Sequence, residues 1–464
     1  MCCVLLAVFC ISGILLNHRG FSDSVSVPRW MLPPFYYHKN WNAGLLRGTL
    51  PTDDARVLVF GTGGVFIADS TGSNCRDFNA GLPSAAASRN VRAMARTSDG
   101  SVWMATGDAV YRLGSDRWVR VLCADGDRFS DLTARSDTII AVGRSFLNVS
   151  PDGGRTFERI IPTASAQTDL SGTTAFRIVW MLHSGELFGL PGRLVVDLVA
   201  VVTLVLCLTG FFFWLKCYRH GIHAKFHLKV HRKAGVWTIA LVALVFFTGW
   251  MLRPPFMVPL ALWKTEAPRG TALRDDSNPW HDKLRMLRFD DATGRWLLSS
   301  SQGFFSSERP EGPYTALEAV PPVSVMGLNV WEKTAEGAWL CGSFSGMFVW
   351  DSASGETIDW YTGEPAAAAA GPPVGKKKVS GYSADFGEPF AVLYDSGTES
   401  LPQPEELKLL PMPLWTAALE AHSGRIYFGE SATWFFVVLA GGIALWCLYS
   451  GWKVRRPHAR LSKS

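Results

Sequence analysis

The sequence predicts a membrane protein of four transmembrane α-helices plus an all-β, β-propeller-like domain outside the membrane, built from two long insertions. Three observations predict it. Four apolar runs punctuate the 464 residues. The chain repeats itself, each half reading helix, long polar segment, helix. Both polar segments consist of short strands separated by Gly-rich turns. The repeat is anchored by His183-Ser184-Gly185, which leads into the apolar run Leu194 to Leu215, and by His422-Ser423-Gly424, which leads into Thr433 to Gly451. Upstream, Ser12-Gly13-Ile14-Leu15-Leu16 aligns with Thr248-Gly249-Trp250-Met251-Leu252, near the ends of the first and third runs.

Taken in order, residues 1–17 form the first helix. No basic stretch precedes it and no small-residue cleavage site stands before His18, so a signal peptide is the weaker reading. The internal alignment puts the counterpart of His231 several residues upstream of Met1, which predicts a truncated start. Residues 18–180 form the first outer β-rich segment, 181–216 an interfacial turn and the second helix, and 217–235 a basic inner loop. Residues 236–252 form the third helix, 253–421 the second β-rich segment, 422–452 a turn and the fourth helix, and 453–464 the tail. About 20 helical residues cross a hydrocarbon core of roughly 30 Å, so 1–17 and 236–252 are marginal in length.

Charge sets the orientation. Lys216, Arg219, Lys225, Lys229, Arg232 and Lys233 lie in one inner loop without an acid, and Lys453, Arg455, Arg456, Arg460 and Lys463 in the tail, again without one. Positive ends face the cytoplasm, so both termini are inside and the two large segments outside. Removing these eleven from 45 Lys and Arg leaves 34 against 40 Asp and Glu. The pI near 8.7 is therefore a topology signal, and a nucleic-acid partner is excluded. The partner implied is the lipid bilayer. Trp180, Trp250 and Trp434 near the outer ends, with Trp214 and Trp452 near the inner ends, fit two aromatic belts.

In the outer segments, strand–turn–strand units recur at Val57 to Asp69, Val102 to Leu113 and Ile139 to Ser150, then at Trp296 to Ser307, Trp339 to Asp351 and Phe390 to Gly397. Spacing near 40 residues with Gly and aromatic punctuation points to propeller blades; a β-sandwich is the alternative. Ser150-Pro151-Asp152-Gly153-Gly154-Arg155-Thr156-Phe157 resembles the Asp-box of sialidase-like propellers, and Ser98-Asp99-Gly100-Ser101-Val102-Trp103 with Thr106-Gly107 resembles the blade repeat of sensor propellers. In both, the carboxylate caps turn amides and Gly takes positive φ, a structural role that implies no glycosidase activity. Three blades are too few to close a ring in either segment, so both are expected to pool their blades in one propeller. Ala366 to Lys378 interrupts the pattern and reads as a mobile loop.

Three stretches carry a family resemblance: Ile11-Ser12-Gly13-Ile14-Leu15-Leu16-Asn17-His18-Arg19; Leu182-His183-Ser184-Gly185-Glu186-Leu187-Phe188-Gly189 with Gly192-Arg193; and His231-Arg232-Lys233-Ala234-Gly235. They resemble PepSY-associated transmembrane proteins, which include iron-regulated membrane proteins and siderophore-iron reductases. The resemblance covers the four helices and their edges. Outside the membrane the propeller-like repeats stand where a PepSY segment is expected, and the basic His-Arg start of the first helix is absent. The resemblance implies a bacterial inner-membrane protein with periplasmic segments, a membrane oxidoreductase of the ferric-chelate reductase kind, and iron acquisition.

The candidate cofactor is haem b. It needs two imidazoles at one depth from facing helices. His183 lies eleven residues before Leu194 and His422 eleven before Thr433, which matches their depths. Counting about 20 residues outward from Lys216 puts the outer boundary near Val196, beyond which a straight helix would carry His183 out of the hydrocarbon. Gly189-Leu190-Pro191-Gly192 is expected to break the helix and fold the histidine back over the bundle. The other reading is that His183 and His422 cap interfacial helices or bond lipid headgroups. His18, at the outer end of the first helix, is a third candidate ligand. His220, His223, His227 and His231 cluster in the inner loop, the last three at i, i+4 spacing, where they either bind a metal or, through His231, an inner haem, or serve the topology. Asp197, inside an apolar run, is either a functional carboxylate or the partner of Arg193 one turn away.

No pair of cysteines has CxxC spacing, and no metal site is expected from them. Cys75 to Cys123 is the one candidate disulfide among the three external cysteines. No phosphate-binding loop, zinc-protease motif or nucleophile elbow appears, and the inner segments are too short for a flavin or nucleotide domain. Electrons would come from a quinol or a separate partner. Two functions stand: a membrane cytochrome-like component passing electrons outward to a periplasmic acceptor such as a ferric siderophore, or a membrane-anchored propeller that binds or senses a ligand without redox activity.

Overall fold

The computed structural model describes residues 2–220, 225–324, 326–366, 375 and 377–454. Its contacts divide the chain into a helical unit, Met1–Asp23 with Gly172–Arg274 and Pro413–Ser464, and a β-rich unit, Ser24–Ser171 with Asp275–Met412. The β-rich unit is thus built from two insertions into the helical one. The boundaries lie inside those read from the sequence, because residues 172–180, 253–274 and 413–421 fold with the helices.

The helical unit contains α1 (Cys2–Asn17), α2 (Arg19–Ser24), α3 (Ala175–Ser184), α4 (Gly189–His220), α5 (Lys225–Met251), α6 (Met257–Leu262), α7 (Leu414–Ser423) and α8 (Arg425–Val454). Among the described residues, three stretches are long and apolar enough to cross a membrane: Glu186–Phe212, His231–Met251 and Ala432–Tyr449. The apolar part of α1, Cys3–Asn17, is shorter. At 1.5 Å per residue α4 is about 48 Å long and α5 about 40 Å, more than a hydrocarbon core. Both run on into the basic segment read as a loop, since Lys and Arg are good helix formers. Trp180, Trp214, Trp434 and Trp452 are exposed on the unit. Trp250 instead packs over Gly441, where a Cβ would lie 2.5 Å from its ring.

The packing follows the sequence repeat. α1 contacts α4 and α7, while α5 contacts α8 and α3. Each half therefore sets its short helix, α3 or α7, on the first helix of the other half. The break expected before α4 occurs, slightly earlier than the sequence indicated. α3 ends at Gly185 in the left-handed region (φ 80°), a 3-10 turn covers Glu186–Phe188, and Gly189 (φ 64°) opens α4. Pro191 falls in the first turn of α4, where its missing N–H costs nothing. The second half repeats the device with Gly424 (φ 81°) and Gly429 (φ 67°).

Among the described residues the β-rich unit holds six successive antiparallel sheets, five of four strands and one of two, three from each segment, and at its edge Ser26–Val27 pairs with Met412–Pro413. The first holds Gly48–Pro51, Arg56–Gly61, Gly64–Asp69 and Arg76–Asp77; the second Val91–Arg96, Val102–Thr106, Ala109–Leu113 and Trp118–Cys123; the third Phe129–Arg135, Thr138–Gly143, Leu147–Ser150 and Glu158–Ile160. The fourth holds Leu284–Asp290, Arg295–Ser300, Gly303–Ser307 and Thr315–Ala316; the fifth Leu328–Lys333, Trp339–Ser343, Gly346–Trp350 and Thr357–Asp359; the sixth Val379–Ser383 and Phe390–Leu393. Five of the six strand–turn–strand units read from the sequence are the central hairpins of these sheets; in the sixth, Phe390 begins the second strand. Central strands are buried on both faces and so read as apolar runs.

An apolar cluster lies between each sheet and the next. Leu58 and Phe60 meet Met104 and Tyr111 between the first two sheets, Trp103 meets Leu132 and Ile139, and Ile140 and Leu147 meet Leu298 and Phe305. Leu297 and Phe304 meet Trp331 and Trp350, Val330 and Met347 meet Val379, and Phe390 and Val392 meet Val59 and Phe66 of the first sheet. Hydrogen bonds join the last pair, Tyr382 N to Arg47 O at 3.1 Å and Thr49 Oγ1 to Ser383 Oγ at 2.9 Å.

The Asp-box turn is built as its residues predict. Asp152 Oδ1 accepts from the amides of Arg155 and Thr156, each at 3.0 Å, and Gly153 and Gly154 take φ of 71° and 80°. The disulfide expectation is corrected: Cys75 and Cys123 are free thiols, as is buried Cys341. Of Ala366 to Lys378, residues 367–374 and 376 lie outside the described residues.

Candidate functional site

The helical unit brings His183 and His422 together. Each sits at the C-terminal end of a short helix, α3 or α7, just before the left-handed glycine that turns the chain. Their ring centres are 6.0 Å apart with the planes inclined at 53°.

Each imidazole rests in a seat on the opposite half's first helix. His183 Nδ1 lies 3.0 Å from Val245 O and 3.3 Å from Thr248 Oγ1. His422 Nδ1 lies 3.1 Å from Phe9 O and 3.0 Å from Ser12 Oγ. A carbonyl oxygen only accepts, so Nδ1 carries the proton on both rings and donates. The hydroxyls donate to their own helices, Thr248 to Leu244 O at 2.8 Å and Ser12 to Val8 O at 2.6 Å, which leaves their lone pairs for the imidazoles. Both Nε2 atoms therefore hold a lone pair. A glycine completes each seat: a Cβ on Gly249 would stand 2.7 Å from His183 Cε1, and one on Gly13 3.5 Å from His422 Cε1. Phe9 meets His422 edge-on at 5.6 Å.

His183 and His422 could hold a haem, each through the Nε2 that its Nδ1 hydrogen bond leaves free. Two imidazoles are fewer ligands than a four-coordinate protein metal site uses and equal the number haem takes axially. An Nδ1–H bonded to a backbone carbonyl is the arrangement that orients a metal-ligating histidine.

The other predicted residues fall elsewhere. His18 is held by Asp197, with Nε2 3.0 Å from Oδ2, and Asn17 donates to the other carboxylate oxygen at 3.0 Å. The expected Arg193 partner of Asp197 is thereby corrected. The exchange follows from packing, because α1 lies along α4 and brings the end of its last turn to that carboxylate. His231 occupies a third seat of the same design on α4, with Nδ1 3.1 Å from Leu206 O and 3.2 Å from Thr209 Oγ1. Its ring lies 3.4 Å from where a Cβ on Gly210 would stand. His220 and His227 lie on α4 and α5, and His223 lies outside the described residues.

Sequence reasoning missed what holds the histidines. Ser12-Gly13 and Thr248-Gly249 served there only to align the halves, although a hydroxyl followed by glycine opposite a histidine was the available signal. It also missed Arg253, which acts electrostatically on both imidazoles, and Arg425, paired with Glu420 through Nε to Oε2 at 2.9 Å.

A duplicated helical membrane unit, with one imidazole from each half meeting where α3 and α7 end and a β-rich domain inserted into both halves, defines the class. The chain belongs to the family of the PepSY-associated TM region, whose profile matches residues 1–360. No curated protein matches it. Among solved structures it is similar to the extracellular domain of a hybrid two-component system, BT4673, from B. thetaiotaomicron, at 9% identity and a TM-score of 0.36, over 76% of this chain and 32% of that one. It is also similar to the dihydro-haem d1 dehydrogenase NirN, at 13% identity and a TM-score of 0.31, over 75% and 51%. A third is YCF48 from Cyanidioschyzon merolae, at 11% identity and a TM-score of 0.32, over 74% and 76%. The chain thus spans about a third of the first of these structures and half of the second.

Proposed function

We propose that this is an inner-membrane haem protein that carries electrons to a periplasmic acceptor, with a ferric chelate as the acceptor class. The observation that carries the reading is the doubled seat: two imidazoles 6.0 Å apart, each with its Nδ1 proton committed to a backbone carbonyl. Bound haem b supplies a one-electron couple. His183 and His422 hold it through Nε2. The carbonyls of Val245 and Phe9 fix the tautomer and raise the basicity of that nitrogen. Thr248 and Ser12 set the ring rotation, and Gly249 gives the His183 ring room.

In this reading α1 is the fourth span, supported by its equivalence to α5 and its packing on α4 and α7. The basic segments face the cytoplasm, electrons enter from a quinol in the bilayer or a redox partner, and the six sheets close as a six-bladed propeller. Closure is supported by the apolar cluster between the sixth sheet and the first. The polar group that the inner strands gather, with Asp131 accepting from Leu287 N at 3.0 Å and Arg288 Nη1 at 2.6 Å, favours a ligand-binding role for that unit as the second reading.

Two measurements on one preparation test the proposal: haem content of the purified chain by pyridine haemochrome, and ferric-chelate reduction by proteoliposomes supplied with a quinol. Stoichiometric haem and a rate above empty vesicles are expected. Absence of both, after expression with ample haem, leaves only the binding role.

A further inference from the structure

Arg253 lies close enough to the imidazole pair to act on both rings, and among the described residues its guanidinium has no hydrogen-bond partner. It follows α5 by two residues, one helical turn past Gly249, which lies against His183. It is half-buried. Among the described residues its guanidinium makes no hydrogen bond and no ion pair. The charges that act on it are Arg425, a like charge, and Glu420. Glu420 is already engaged by Arg425 through both of its carboxylate oxygens. Arg253, Arg425 and Glu420 together sum to a net positive charge. A half-buried cation without a partner is costly, so the arrangement awaits an anion.

The sequence places both arginines for this. Arg253 lies just past the helix that seats His183, and Arg425 follows His422 by three residues. The planar fork of a guanidinium takes a carboxylate through two hydrogen bonds, which an ammonium does not match. We propose that Arg253, backed by Arg425, is a carboxylate receptor for the acidic edge of the macrocycle held between His183 and His422, and that it fixes which edge faces the outer rim. The inference rests on the haem reading. A carboxylate could also reach the same rim on an anionic chelate from outside, and the experiment separates the two sources.

Ferric haem b and its dimethyl ester, in which both carboxylates are blocked, are titrated into haem-free full-length wild type, Arg253→Gln and Arg253→Lys in detergent, with binding followed by absorbance. Arg253→Gln is expected to bind haem b at least about tenfold more weakly than wild type. Arg253→Lys should fall between them, and all three should bind the dimethyl ester alike. Equal affinity of wild type and Arg253→Gln for haem b overturns the inference, as does an equal loss with both pigments. Normal haem binding by Arg253→Gln with lost affinity for a carboxylate chelate assigns the arginine to an external anion, which also overturns it. If wild type binds neither pigment, the haem reading itself falls and takes this inference with it.

Discussion

Replacing Gly249 with alanine probes the seat of His183 without touching the ring. The new Cβ would stand 2.7 Å from Cε1 and 3.2 Å from Nδ1 of His183. To reach ordinary contact near 3.4 Å the ring must retreat by roughly 0.7 Å. That retreat stretches the bonds to Val245 O and Thr248 Oγ1, now 3.0 and 3.3 Å, to the limit of hydrogen bonding or past it. Losing a neutral hydrogen bond costs about 0.5–1.5 kcal/mol, and misplacing an axial ligand adds to it. Haem affinity should therefore fall about tenfold in Gly249→Ala. The counterpart Gly13→Ala puts its Cβ an ordinary 3.5 Å from His422 Cε1 and should change affinity by less than about twofold. The assay is absorbance titration of both full-length variants with ferric haem, with the far-ultraviolet spectrum checked for folding. Equal effects at the two glycines, or the larger effect at Gly13, would refute the argument that Gly249 clears space for the His183 imidazole where Gly13 need not for His422.

Three further outcomes follow from the β-rich unit. Gly154→Ala should lower its stability by about 2–4 kcal/mol, because the Cβ would stand 2.1 Å from Trp103 and φ is positive, whereas Gly153→Ala, open on all sides, should cost about 1 kcal/mol; urea unfolding reads both. A membrane-impermeant maleimide should label exposed Cys123 from the outer face without prior reduction and spare buried Cys341; labelling that needs a reductant would restore the disulfide, and labelling only after permeabilisation would reverse the orientation. Burial holds the His38 imidazole down to about 3, below its unfolded value near 6.5. The unfolded chain then takes up the proton first, so this stabilisation is complete above pH 6.5 and is lost as pH falls towards 3, by at most about 1.4 kcal/mol per pH unit. Wild type should lose more stability than His38→Gln between pH 6.5 and 4, and parallel losses would contradict the assignment.

Much of the fold was legible because it rests on short-range patterns. Apolar runs marked α4, α5 and α8 directly, and strand–turn–strand units such as Val102 to Leu113 announced sheets whose central strands are buried on both faces. Asp152 declared its turn because every group it caps lies within four residues. What depends on the packing of distant segments was not legible. The pairing of Asp197 with His18 needs α1 laid along α4, which no local pattern encodes, and Arg193 one turn away was the only partner visible in the sequence. The kink at Gly185 to Gly189 was misplaced by a few residues because Pro191, a breaker inside a helix, is harmless in a first turn. The histidine pair was visible as matched spacing, but its exchange of seats between the two halves appears only in the contacts of α3 with α5 and α7 with α1.

The most direct test is the dithionite-reduced minus oxidised absorption spectrum of the detergent-purified full-length chain, recorded beside His183→Ala and His422→Ala. The account predicts a sharp α-band in the wild type that is lost or shifted in each single variant, since either imidazole alone leaves the iron one ligand short. A flat wild-type spectrum after expression with ample haem, or an unchanged band in both variants, would contradict it.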